Sequence, residues 1–190
     1  MKKLITVFGP GSVSDDSSLY REAELLGSLL GSAGFNIVNG GYSGVMEAVS
    51  KGARSTGAAV IAVTAEVYAA RGREPNQFVS REVKVKSAVD RLMELIDLSD
   101  ACIALGISPG TLLEVITVWE YMLKGFLGKR PVILIGNDWQ GLGEYFDAQP
   151  CMTHHRESIS YTKDSQTALA LLEKHFGKQP ILPELDIIRS

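Results

Sequence analysis

Three glycine-bearing turns, one arginine and one glutamate are the groups in this sequence whose types and spacing could do chemistry. Gly9-Pro10-Gly11-Ser12 ends one apolar run, Gly40-Gly41-Tyr42-Ser43-Gly44-Val45-Met46-Glu47 ends another, and Gly106-Ile107-Ser108-Pro109-Gly110-Thr111-Leu112-Leu113-Glu114 ends a third. Glycine lets a backbone approach a ligand closely, and unpaired N–H groups at a helix start attract anions. Gly40, Gly41 and Gly44 exceed what a plain strand-to-helix turn needs, and Ser43 is placed to cap the helix that opens at Val45 and Met46. That turn predicts a phosphate contact. Gly9-x-Gly11-x-x-Ser14 loosely echoes a dinucleotide fingerprint, with Gly9, Gly11 and Ser12 as candidate phosphate contacts, although a tight turn would need glycine anyway. No acid follows the second run to hold a ribose, and Asp15-Asp16 would repel a pyrophosphate, which argues against a dinucleotide.

In the third turn Gly110 and Thr111 open a helix. Thr111 is placed to cap it and Glu114, three residues on, to complete a capping box. The functional alternative puts the Glu114 carboxylate at the mouth of the cleft as a base or cation stabiliser. Arg91, read alone, is a solvated arginine pairing with Glu94 at i+3. Cys151, His154 and His155 match no metal-ligand spacing, with His175 on a distant helix, so no metal is expected. No Ser-His-Asp or nucleophile-elbow arrangement is present.

Positioning these groups falls to alternating elements. The segments Leu4–Phe8, 35–38, 58–64, Ala101–Leu105 and Val132–Ile135 are continuous apolar runs, the pattern of strands covered on both faces. Helical periodicity marks 20–33, Val45–Ser55, 80–98, 112–127 and Ser165–Phe176, with 71–76 and 149–156 loop-like. The alternation predicts a Rossmann-like α/β three-layer sandwich, its mainly parallel sheet flanked by helices, with ligands beyond the carboxyl ends of the strands. The 190 residues fit one domain over 1–190, with a proline-bearing C-terminal arm from about 178.

Composition narrows the partners. The chain is 45% hydrophobic and 22% charged, with a formal net charge of −3 and a pI near 5.6. No basic field is available for a nucleic-acid polymer, which leaves a small phosphate ester as the expected partner. Two cysteines make no disulfide framework, and the apolar start is too short for a signal peptide, so a cytoplasmic protein without a membrane anchor is expected.

Taken in order, the turns resemble the LONELY GUY (LOG) family, often labelled lysine decarboxylases, over roughly residues 3 to 148. Gly40 through Val49 looks like its glycine-rich turn, and Gly72-Arg73-Glu74-Pro75-Asn76 is similar to a loop of shorter bacterial members. Arg91 stands nine residues before Asp100 as the family's active-site arginine does, and Gly110-Thr111-x-x-Glu114 matches the end of its Pro-Gly-Gly-x-Gly-Thr-x-x-Glu hallmark. The resemblance implies a nucleoside 5′-monophosphate phosphoribohydrolase, releasing free base and ribose 5-phosphate without metal or redox cofactor. Glu114 would stabilise oxocarbenium character and assist a water, while Arg91 orients the nucleotide. It also implies a homodimer or larger assembly, for which Val115, Ile116, Trp119, Met122 and Leu123 could supply a surface or simply core. One departure counts: Gly106-Ile107-Ser108-Pro109 replaces Pro-Gly-Gly-x, adding bulk at Ile107 and removing a donor at Pro109. The alternative is a non-catalytic binder of a nucleotide or of a phosphorylated cofactor such as molybdopterin, which related domains serve.

Overall fold

The computed structural model describes residues 2–152 and 155–179. Strands β1 (Leu4–Phe8), β2 (Asn36–Asn39), β3 (Val60–Ala65), β4 (Arg81–Val85), β5 (Ala101–Leu105), β6 (Val132–Ile135) and β7 (Ser160–Thr162) form one sheet. Their order is β4-β3-β2-β1-β5-β6-β7, and every neighbouring pair is parallel. Between them run helices α1 (Ser18–Ser32), α2 (Val45–Ser55), the single turn α3 (Glu66–Ala69), α4 (Ala88–Asp97), α5 (Pro109–Leu123) and α6 (Asn137–Asp147), with α7 (Ser165–Phe176) last. This is the expected Rossmann-like sandwich.

Side chains alternate across a strand, so each apolar run feeds two cores. Ile5, Val7, Ile103 and Leu105 face α1, α2 and α7. Leu4, Phe8, Cys102 and Ala104 face α4, α5 and α6. Covering both faces explains why the central strands read as unbroken apolar runs. The chain walks outward from β1 to β4, then returns to place β5 beside β1. Strand order therefore reverses between β1 and β5, the position at whose carboxyl ends folds of this kind place their ligands.

Several boundaries differ from the sequence expectation. The helix expected over 80–98 is strand β4 followed by α4, whose start is set by a capping box between Ser87 and Asp90. The reason is that β4 is an edge strand: Arg81, Glu82 and Lys84 are exposed while Val83 and Val85 turn inward, a period of two masked by charge. The helix expected over 112–127 starts at Pro109 and stops before Gly125, whose φ is +74°. Helix α6, strand β7 and α3 were not expected, and the loop expected over 149–156 holds the 3-10 turn Pro150–Met152 and the start of a second, His155–Glu157. Of the stripe on α5, Val115 and Trp119 are in the core, whereas Ile116 and Leu123 are exposed beside Leu113 and Phe126. His154 and the arm from 180 onward lie outside the described residues. No helix among the described residues is long and apolar enough to cross a membrane.

Helices α1 and α2 pack backbone against backbone. A Cβ at Gly27 would strike Val49 O and one at Gly52 would strike Glu24 O. Overpacking of this kind costs about 1–3 kcal/mol, more than the roughly 1 kcal/mol alanine gains in helix propensity. Gly27→Ala and Gly52→Ala should therefore each lower the urea midpoint, while Gly128→Ala, with nothing within 4 Å of the added methyl, should not.

Candidate functional site

The β1 loop and the β2 turn are one structure. Val45 N–H donates to Pro10 O at 3.0 Å, and Ser43 Oγ donates to Gly11 O at 2.8 Å. Gly44, at φ +69°, lets them meet, since a Cβ there would lie 2.5 Å from Pro10 O. Ser43 thus ties the two loops together rather than capping α2, whose N-cap is Gly44 without a side-chain bond. The Val45 N–H, expected to be open to an anion, is already spent.

Asn39, at the end of β2, organises the turn from below. Its Nδ2 donates to Met46 O and Ser50 Oγ, and its Oδ1 accepts from Gly41 N–H. Asn76 clamps it from above, with its own N–H donating to Gly41 O and Nδ2 donating to Gly41 O and Tyr42 O. Met46 is buried beneath both loops; a Cβ on Gly11 would lie 3.2 Å from its Cε.

Arg91 reaches this turn from α4. Its Nε donates to Val63 O at 2.9 Å and its Nη2 lies 3.8 Å from Met46 Sδ. The guanidinium occupies the space a side chain at Gly40 would need. Arg91 is therefore half-buried against the glycine turn, and the surface pairing with Glu94 does not form.

The third turn departs from expectation. Ser108, not Thr111, caps α5: its Oγ accepts from Thr111 N–H at 3.2 Å and lies 2.8 Å from Thr111 Oγ1. Pro109 occupies the first helical position. Thr111 is buried, and Glu114 sits one turn further along, so there is no Thr111–Glu114 capping box. With Pro109 lacking an N–H and that of Thr111 taken, Gly110 supplies the free donor of the first three helical positions.

The structure thus gathers Gly9, Gly11, Gly40, Gly41, Ser43, Gly44, Met46 and Arg91 on one rim, with Gly110, Thr111 and Glu114 at the start of α5. Ser12 is exposed and forms no part of these contacts. Glu114 is half-buried on α5. Burial pushes its carboxyl up to about 7, with the Arg91 guanidinium pulling the other way. Sequence reasoning missed Asn39, Asn76, Tyr42 and Tyr68; an Asn directly before Gly-Gly is the signal that could have found the first. Of the histidine and cysteine residues weighed for a metal, Cys151 is exposed and His155 is buried against Trp119, Phe146 and Tyr161.

A carboxyl held above its unfolded value contributes stability fully below pH about 4.5 and loses it as pH rises through about 7. Wild-type stability should fall across that window, and Glu114→Gln should flatten the fall by an amount on the order of 2 kcal/mol. Urea denaturation at pH 5 and pH 8 reads the difference; parallel curves for both proteins would contradict it.

Other proteins are similar to this chain in sequence or in fold. An uncharacterized protein of Archaeoglobus fulgidus is 30% identical over 134 residues, covering 70% of this chain and 86% of its own. Among solved structures, the molybdenum cofactor binding protein of Rippkaea orientalis superposes with a TM-score of 0.76 at 24% identity, covering 92% of this chain and 98% of that one. The molybdenum cofactor carrier protein of Chlamydomonas reinhardtii does so with a TM-score of 0.72, again at 24% identity over 92% and 98% of the two chains. These likenesses establish the Rossmann-like fold, and SLOG families include LOG-like proteins. The sequence model of the SLOG cluster4 family matches residues 2–169, so the chain belongs to the SLOG cluster4 family.

Proposed function

We propose that this protein binds a phosphorylated small molecule of the nucleotide or pterin class in the crevice at the ends of β1, β2 and β5, and holds it without cleaving it. The observation that carries this is the closed start of α5. A nucleotide hydrolase of LOG type would cradle its substrate phosphate there, yet Ser108 and Pro109 leave the Gly110 N–H as the free donor. Similarity to molybdenum cofactor binding and carrier proteins over nearly their whole length favours a cofactor of that kind as cargo. Gly9, Gly11, Gly40, Gly41 and Gly44 would form a wall of bare backbone against the ligand. Glu114, titrating near neutrality, would accept a hydrogen bond from the ligand when ionised and donate one when protonated. The exposed stripe of Leu113, Ile116 and Leu123 would seat a second copy of the chain.

One observation favours a second function, hydrolysis of a nucleoside monophosphate. The Arg91 guanidinium sits close enough to Glu114 to pull on its carboxyl, and a carboxyl near 7 suits general acid–base work. Water would then add its hydroxyl to the ribose C1′ and its proton to the departing base.

Calorimetry with phosphorylated pterins and with nucleoside monophosphates, run beside an assay for ribose 5-phosphate, separates the two. Carriage predicts saturable binding with no ribose 5-phosphate above the buffer rate. Release of ribose 5-phosphate that disappears in Glu114→Gln would instead establish the hydrolase. Absence of binding with every phosphorylated ligand would end both.

A further inference from the structure

Sequence comparison with LOG proteins would put the ligand's phosphate at the start of α5. The charges lie elsewhere. At the ends of β2 and β3, the rings of Tyr42 and Tyr68 meet edge to face, with centroids 5.8 Å apart. Two guanidiniums share this one ring pair. Arg91 lies 5.5 Å from the Tyr42 centroid and 5.6 Å from that of Tyr68, and Arg73 lies 5.9 Å from both.

The two arginines are fixed in different ways. Arg91 is anchored by its Nε bond to Val63 O and by the glycine turn beneath it. Arg73 is exposed, yet its backbone is not free to wander, because its N–H donates to Tyr68 O and Asn76 pins the end of the loop to Gly41 and Tyr42. Among the described residues, the Arg73 side chain makes no hydrogen bond or ion pair, and Arg91 closes no ion pair with a carboxylate. Glu114 faces Arg91 closely enough to feel its charge but forms no ion pair with it, so two like charges held over one pair of rings still form a site that an anion would relieve. Planar forked donors suit the oxygens of a phosphate, and the tyrosine rings hold their planes in place.

The other turns of the cleft carry no arginine or lysine. Asp15 and Asp16 follow the β1 loop, Glu47 in the first turn of α2 lies with Asp15 near Tyr20, and α5 begins with its donors largely spent. Glu66 and Glu74 stand beside Tyr68 and Arg73 in the sequence, but neither forms an ion pair with Arg73 or Arg91 among the described residues.

We propose that Arg73 and Arg91, stacked on Tyr42 and Tyr68, form the anion subsite of this cleft and hold the ligand's phosphate at the ends of β2 and β3. Arg73 is then a binding residue, and the ligand's planar end points toward the crevice between β1 and β5. The subsite rests on the ligand being phosphorylated, as proposed above, but its test does not need that ligand.

Inorganic pyrophosphate serves as the probe, titrated into the full-length protein while the arginine Nε–H signals are followed by NMR. The Arg73 and Arg91 signals should shift together and saturate, while that of Arg130, bonded to Ile96 O at the other end of the sheet, stays still. Arg73→Gln, a surface change, should weaken pyrophosphate by about tenfold or more, the scale of one charge-assisted contact. Arg73→Lys should restore part of the loss, since an ammonium keeps the charge but not the planar fork. Lys129→Gln, at the far end of the sheet, should change nothing. Unshifted Arg73 and Arg91 signals, or equal affinity in Arg73→Gln, would overturn the subsite. If pyrophosphate binds as stated but no phosphorylated pterin or nucleotide does, the cargo is wrong and the subsite stands. If an organic phosphate binds and its affinity is indifferent to Arg73→Gln, the subsite is wrong and the cargo stands.

Discussion

The arrangement of the cleft depends on the backbone contact between the loop after β1 and the turn after β2. A bond from Val45 N–H to Pro10 O and one from Ser43 Oγ to Gly11 O hold the two segments together, and Gly44 has no Cβ to prevent it. This contact sets where α2 begins and buries Met46 under both loops. Met46 in turn supports Arg91, which closes over Gly40. A wall made this way is stiff, because its polar groups satisfy one another. The same economy leaves it short of donors for a ligand.

Helix α5 shows the same exchange. Ser108 gives its helix a good side-chain cap and Pro109 a preorganised first turn, both of which favour the helix. Each does so by occupying or deleting an N–H that an anion could have used. Recognition of an anion, as proposed, would then fall to side chains, and those able to supply it stand on α4 and on the loop between α3 and β4. Glu114 sits between these regimes: burial raises its carboxyl toward neutrality while Arg91 opposes the shift.

Much of the fold was legible in the residues because unbroken apolar runs such as Leu4–Phe8 and Ala101–Leu105 have one cheap solution, a strand covered on both faces. Edge strands have no such signature. Arg81–Val85 carries its inward valines between charges, and Ser160–Thr162 is too short to show a period. At the cleft, the glycine turns could be located because a missing Cβ is itself a sequence feature. The bonds those turns make could not be, since Ser43 reaches back to Gly11 and Asn76 to Gly41 across more than thirty positions. The roles of Ser108 and Thr111 were exchanged for a local reason: both can cap, and Pro109 decides between them by fixing the first helical residue.

Strand β4 carries a consequence of a different kind. Among the described residues no strand pairs with its outer edge, and an open edge of a parallel sheet invites another chain to continue the hydrogen-bond ladder. Arg81, Glu82 and Lys84 put charge along that edge, and a docking strand would have to strip it of water. The pattern that disguised this segment as a helix also works against strand addition at this rim, since charge on an edge strand raises the cost of continuing the ladder.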